Sequence, residues 1–257
     1  MDLASLFGIL IAYSMLFGSI ILSGNPMILY WDTGSMILVV VGSLGSLMMA
    51  SDMATLKNVP KYISLVFKAK EYNSTEIITQ LVGFAESARK DGLLSLDDAI
   101  KDVEDKFLSD GLRLVVDGTD PLIITKILEL EMDQMDERHN KAAGFFDTWA
   151  ALAPAYGMLG TVIGLIGMMA NLGDSAGIGS AMALALITTF YGSLVANSIA
   201  LPISMKLRLN HDKEMLQKEI MLEGILSIQS GDNPRILEQK LYSFLPVPNR
   251  PVSQEAQ

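Results

Sequence analysis

Ala153-Pro154-Ala155-Tyr156-Gly157-Met158-Leu159-Gly160-Thr161-Val162-Ile163-Gly164-Leu165-Ile166-Gly167 decides how the chain is read. It is uncharged and carries a glycine ladder, one proline and one hydroxyl. Gly157, Gly160, Gly164 and Gly167 are spaced three, four and three apart, so on a helix they share one face and admit a second helix closely. Thr161 follows Gly157 by four residues and sits beside that face. Two uses stay open at this point: a contact between helices, or one wall of a polar path.

The composition around this stretch is divided. Half of the 257 residues are apolar and mean hydropathy is +0.37, yet 19% are charged. That mixture predicts membrane spans joined to an aqueous part. With no cysteine, disulfides, thiolate metal sites and cysteine nucleophiles are excluded. A net charge of −10 argues against a nucleic-acid partner, which requires a clustered basic surface. Met1-Asp2-Leu3 lacks the basic start of a cleavable signal, so the first apolar run is expected to be a retained span.

Four uncharged runs have membrane length, since about 20 helical residues cross a hydrocarbon core of about 30 Å. They fall at about 3–23, 34–51, 148–172 and 181–205. Gly24-Asn25-Pro26 separates the first pair, with Tyr30 and Trp31 placed as interfacial aromatics. A densely charged segment, 52–147, lies between the pairs. Its apolar residues recur at helical spacing, as in Ile77, Leu81, Phe84 and Ala88, predicting several short helices with turns at Gly92, Gly111 and Gly118. Asp120-Pro121 reads as the start of a longer helix. Residues 206–245 read as amphipathic helices, and 246–257 as a Pro-rich disordered tail. The predicted fold is therefore an all-α membrane protein with a helical domain between spans two and three and an amphipathic C-terminal helix.

All 19 Lys and Arg lie either between Lys57 and Lys141 or from Lys206 onward. The short connections at 24–33 and 171–180 hold none. The positive-inside rule then places both termini and the large loop in the cytoplasm.

None of the four runs contains Asp, Glu, Lys, Arg or His. An ion-coupled machine generally needs a titratable or ligating carboxylate at membrane depth, so if this chain moves ions a partner has to bring it. The spans offer instead Thr161 on the third and Thr188, Thr189, Ser193 and Asn197 on the fourth. Ala185, Thr189, Ser193 and Asn197 are four apart and form a weakly polar stripe. These groups serve either as packing hydroxyls bonded to their own backbone or as ligands along a path. Pro154 and Pro202 each lie near the cytoplasmic end of a span and serve either as hinges or as tolerated prolines. In the charged loop, Arg89-Lys90 with Asp97, Asp98 and Glu104 is either a solvated face or a docking surface for a complementary protein. His139 and His211 are isolated in sequence and have no metal-ligand spacing.

Several segments in this order resemble the MotA/PomA family, the ring-forming subunit of the bacterial flagellar stator, within the MotA/TolQ/ExbB superfamily. They are Met1-Asp2-Leu3, Ala85 to Leu96, Leu114 to Gly118, Asp136 to His139, Ala153 to Leu165, Thr188 to Gly192 and Ile228 to Ile236. The likeness implies five copies around two copies of a single-span MotB- or PomB-type partner, which supplies the membrane Asp and a peptidoglycan-binding domain. Ion passage through that Asp would turn the ring against the flagellar rotor. The resemblance makes Pro154 and Pro202 the coupling prolines and sets Arg89, Lys90 and Asp97 against the rotor protein FliG. Asp97 and Asp98 stand where relatives often have Glu. It implies no cofactor, only transported Na+ or H+. Thr161 and Thr189 match sodium-type members, whereas Ala151 stands where the sodium-type PomA has a carboxylate; sodium is favoured over proton.

Three other readings compete. An ExbB/TolQ-like proton-driven energiser has three spans, against the clear hairpin of the first two spans here. A passive membrane scaffold would use its hydroxyls only for packing. An intramembrane enzyme would need a nucleophile–base pair or an acidic dyad, and the spans contain neither.

Overall fold

A computed structural model describes residues 2–68 and 72–246, and these are helical throughout apart from turns. All but the first residue of the expected C-terminal tail lie outside them. By packing, the chain divides into two compact units, Met1–Ala69 with His139–Leu209 and Lys70–Arg138 with Asn210–Gln257. This division cuts the sequence differently from a boundary at residue 52, because residues 53–67 pack with the spans. Among the described residues, four helices are long and apolar enough to cross a membrane.

In the first unit, α1 (Leu3–Leu22) has Ile20 as its one buried side chain. Asp2, at its head, accepts a hydrogen bond from the Ser5 hydroxyl (2.9 Å) and forms an ion pair with Lys206. After Gly24-Asn25-Pro26 and a 3₁₀ turn, Met27–Tyr30, the second span is built from α2 (Thr33–Met36), a π-helical turn (Ile37–Val41) and α3 (Gly42–Met49). The Asp32 carboxylate caps α2 by accepting the Ser35 N–H at 2.7 Å. Asp52 does the same for α4 (Met53–Phe67), accepting the Thr55 N–H at 2.6 Å. Leu47, Phe145 and Phe146 form the apolar centre at this end of the unit, with Leu56, Val59 and Tyr62 of α4 packed on it.

The later helices run through the boundaries drawn from hydropathy. Asp120 accepts the Leu122 N–H at 2.9 Å and opens α8 (Pro121–Ala170), a single helix of 50 residues. Asp174 opens α9 (Ser175–Val195), earlier than residue 181, by accepting the Ala176 N–H at 3.0 Å. A π-helical turn (Ala196–Ala200) leads without a break into α10 (Leu201–Ser230). A hydropathy edge marks where charge begins, and a helix has no need to stop there, because its backbone bonds are satisfied internally in either solvent.

The second unit is a helical cluster of α5 (Ser74–Asp91), α6 (Leu96–Ala99), α7 (Lys106–Val116), the charged parts of α8 and α10, and α11 (Pro234–Tyr242). Its core includes Leu81, Leu112, Ile124, Leu128, Ile225 and Leu237, all fully buried. Burying each such side chain is worth about 2 kcal/mol, which is ample to hold short helices together in water. Gly118 ends α7 at φ +72°, where the Thr119 N–H returns to the Leu114 carbonyl at 3.1 Å. Gly111 corrects the expected turn. It lies inside α7 because the tip of Ile225 occupies the place where a β-carbon would be, at 2.5 Å.

Candidate functional site

The third and fourth spans meet along the glycine ladder. A methyl added at Gly157 would lie 3.0 Å from the Thr188 carbonyl oxygen, and one at Gly164 would lie 2.6 Å from that of Ala181. At Gly160 it would run into the Thr188 side chain. Gly167 has ordinary contact, with Ala181 at 3.7 Å. The fourth span contributes its own glycine: a methyl at Gly192 would fall 2.8 Å from the Ala153 carbonyl oxygen and 3.1 Å from the Pro154 Cα. Backbone therefore meets backbone at Pro154, an approach only small residues allow.

This contact separates the hydroxyls into two groups. Thr188 is fully buried against Gly160, and its hydroxyl lies 3.0 Å from both the Leu184 and Ala185 carbonyls. Its place in the helix contact sets it apart from the others, since nothing outside the chain reaches it. Thr189, one residue on and so about 100° around the helix, is exposed. Ser193 and Asn197, at four-residue spacing, are exposed with it, and Thr161 on the third span is half-buried. Thr189 donates to the Ala185 carbonyl (3.1 Å), Thr161 to that of Met158 (2.6 Å) and the Asn197 amide to that of Ser193 (3.0 Å). The two threonine hydroxyl protons and one N–H of the Asn197 amide are thus spent on their own helix, which leaves hydroxyl lone pairs and the amide oxygen as acceptors. Such a surface suits a cation or a protonated group. No group of three His, Cys, Asp or Glu that could hold a metal ion occurs among the described residues.

The prolines differ in setting. Pro154 is inside α8, in contact with Gly192. Pro202 is exposed and lies two residues past the end of the π-helical turn at Ala196–Ala200, so the backbone ladder is weakened twice within one stretch.

Residues without any spacing signal secure these helices. The buried Tyr191 hydroxyl accepts the Asp32 N–H (3.0 Å) and donates to the Tyr30 carbonyl (2.7 Å), tying the fourth span to the start of the second. Tyr156 and Ser46 share a 2.6 Å hydrogen bond, and the Trp149 indole N–H donates to Ser43 at 3.1 Å. Arg208 forms an ion pair with Asp147 at 2.6 Å, just outside the uncharged segments. Aromatic and serine identities within or beside apolar runs were the only hint of the tyrosine and tryptophan contacts.

The charged patch sits in the second unit. Arg89 and Lys90 occupy the exposed last turn of α5, and Asp97, Asp98 and Glu104 are exposed too. Asp98 pairs with Lys101 (2.7 Å) rather than with Arg89 or Lys90, so those two cations face solvent. Hydrogen bonding to Lys101 and its charge hold the Asp98 carboxyl below the usual range. His211 corrects the reading of an isolated side chain, since its Nε2 lies 2.8 Å from an Asp136 carboxylate oxygen.

Charge-free spans that pack through glycines and turn neutral oxygens outward fit a channel-type membrane subunit. Residues 99–220 match the MotA/TolQ/ExbB proton channel family, and residues 6–92 match the motility protein A N-terminal family. Motility protein A of Borreliella burgdorferi is 46% identical, with 95% of this chain and 94% of that protein aligned. The chemotaxis protein PomA of Vibrio alginolyticus is 34% identical, over 95% of this chain and 96% of that protein. Among solved structures, C. jejuni MotAB superposes with a TM-score of 0.90 at 28% identity, covering 99% of this chain and 100% of that one. The flagellar MotAB stator complex from Bacillus subtilis gives 0.89 at 31% identity, covering 97% and 98%. The chain belongs to the MotA/PomA family, whose members are ion-channel components and not enzymes.

Proposed function

We propose that the chain is the ring-forming subunit of a flagellar stator, which conducts ions across the inner membrane with a single-span MotB- or PomB-type partner and turns the ion gradient into rotation. Five copies surround a partner dimer, with both termini and the charged loop in the cytoplasm. The observation that carries this reading is the exposed oxygen stripe on charge-free spans. It supplies neutral acceptors on one side and leaves the carboxylate to the partner. Thr161, Thr189, Ser193 and Asn197 form the wall of the path, and Thr188 keeps the wall in place. Support for a moving wall comes from Pro154 against Gly192 and from the weakened ladder before Pro202. Arg89, Lys90, Asp97, Asp98 and Glu104 meet the rotor protein FliG, with Arg89 and Lys90, which have no ion-pair partner among the described residues, the strongest attraction.

Sodium is the coupling ion in this reading, since hydroxyl oxygens are hard ligands that suit a partly dehydrated Na+. The test is swimming speed in cells that carry this chain and its partner, as sodium is varied at constant pH. Speed that rises with sodium and falls several-fold in Thr189→Ala supports sodium; speed that follows pH alone assigns the proton. Absence of any ion flux in the wild-type complex would remove the stator reading and leave a scaffold.

A further inference from the structure

The short helix between the second span and the charged loop has a chemistry unlike the rest of the chain. Spans one and two form a hairpin, so Asp2 and Met49 emerge on the same side of the bilayer. α4 begins at Met53, directly after that exit, and at its other end the Phe67 carbonyl accepts the Asp2 N–H at 3.2 Å. Both ends of a helix about 22 Å long are therefore held at one membrane surface, and the helix lies along that surface.

Its sequence suits the position. Leu56, Val59, Tyr62 and the buried Val66 face the protein. Lys57 and Lys61 share the opposite face at four-residue spacing, and Lys68, just past the helix end, falls three turns on from Lys57. All three are exposed. Met53 and Leu65, 65% and 40% exposed, flank them. No acidic residue occurs from Met53 to Lys68 in a chain of net charge −10, and Lys57 and Lys61 have no ion-pair partner among the described residues. Exposed apolar side chains between unpaired lysines, on a helix lying along the membrane, are the composition of an interfacial anchor.

We propose that the Lys57–Lys61–Lys68 face of α4 docks on anionic phospholipid headgroups of the bilayer the spans occupy. The inference rests on membrane insertion alone and stands whether or not the chain drives a rotor. A lysine near an anionic membrane surface strengthens association about fivefold, so three amount to about a hundredfold.

The test uses the full-length protein purified in neutral detergent and titrated with phosphatidylglycerol or phosphatidylcholine, with bound lipid counted by native mass spectrometry. The wild type is expected to retain phosphatidylglycerol at least about tenfold more tightly than phosphatidylcholine. K57Q/K61Q/K68Q should lose most of that preference and K57R/K61R/K68R should keep it, while K101Q, on the other unit, leaves it unchanged. An unaltered preference in the triple Gln variant overturns the proposal. So does a triple variant that changes the oligomeric state with lipid retention intact, because a second copy is then the occupant. Should the variant not yield dispersed protein, the wild type decides: its preference must collapse between about 50 mM and about 500 mM salt, and persistence overturns the proposal.

Discussion

Helices in the two units pack by opposite means. Where α8 meets α9, the contact is made by Gly157, Gly160, Gly164 and Gly192 against backbone and Thr188. Where α5, α7, α10 and α11 meet, it is made by Leu81, Leu112, Ile225 and Leu237, all fully buried. The difference follows the solvent. In water, removing large apolar side chains from contact with the solvent drives association. In lipid, leucine gains nothing by leaving hydrocarbon, so helices associate through close van der Waals contact, which small residues maximise. The same residue type then has opposite value in the two places.

Four substitutions test that contrast, each read as unfolding of the full chain in detergent. The largest effect is expected from Leu112→Ala, which opens a cavity in the water-soluble core and costs about 2–5 kcal/mol. Next comes Gly192→Ala. Its methyl meets the Ala153 carbonyl and Pro154 backbone, which cannot yield as a side chain does, at a cost of about 1–3 kcal/mol. A stabilising Gly192→Ala would show that the spans do not touch as described.

A smaller effect is expected at Asp105, which caps α7 through the Leu108 N–H (3.2 Å) and pairs with Lys218 (2.9 Å). Burial pushes its carboxyl up, but the Lys218 hydrogen bond and charge, with the backbone N–H groups, hold it below the usual range. A depressed folded value means the stabilisation is present at neutral pH and is lost as pH falls through that value. Asp105→Ala should cost about 1 kcal/mol near pH 7, and the gap to wild type should close below about pH 4. A gap constant with pH would leave the pair without a role. The smallest effect, of opposite sign, is expected from Gly83→Ala. That glycine lies inside α5 with open space around it, and the change should stabilise by up to about 1 kcal/mol.

Much of the site was legible in the residues. The glycine ladder pointed to a close helix contact, and the stripe of Thr189, Ser193 and Asn197 followed from four-residue spacing alone. Spacing could not separate Thr188 from Thr189, because adjacent hydroxyls in an apolar run differ only in which side faces a neighbour. Gly192 was likewise unreadable: its reason is the Pro154 backbone, 38 residues earlier in the chain. Gly111 was misleading for the same reason, since a glycine that makes room for Ile225 reads like one that ends a helix. Tyr191 and Tyr156 could be placed in a span but not paired with Tyr30, Asp32 and Ser46.

What the sequence determined by itself are the properties each segment carries locally: four uncharged crossings, helical periodicity in the charged parts, the helix start at Asp120-Pro121, and the lack of any membrane carboxylate. Hydrophobic length, charge and capping act within a few turns, so a local reading suffices for them. The tertiary structure decided which face of each helix is used. It put Thr188 inside and Thr189 outside, set Gly192 on Pro154, packed α4 with the spans and ran α8 and α10 past the ends of their apolar segments. Those outcomes depend on surfaces from segments far apart in the chain, whose complementarity no local pattern records.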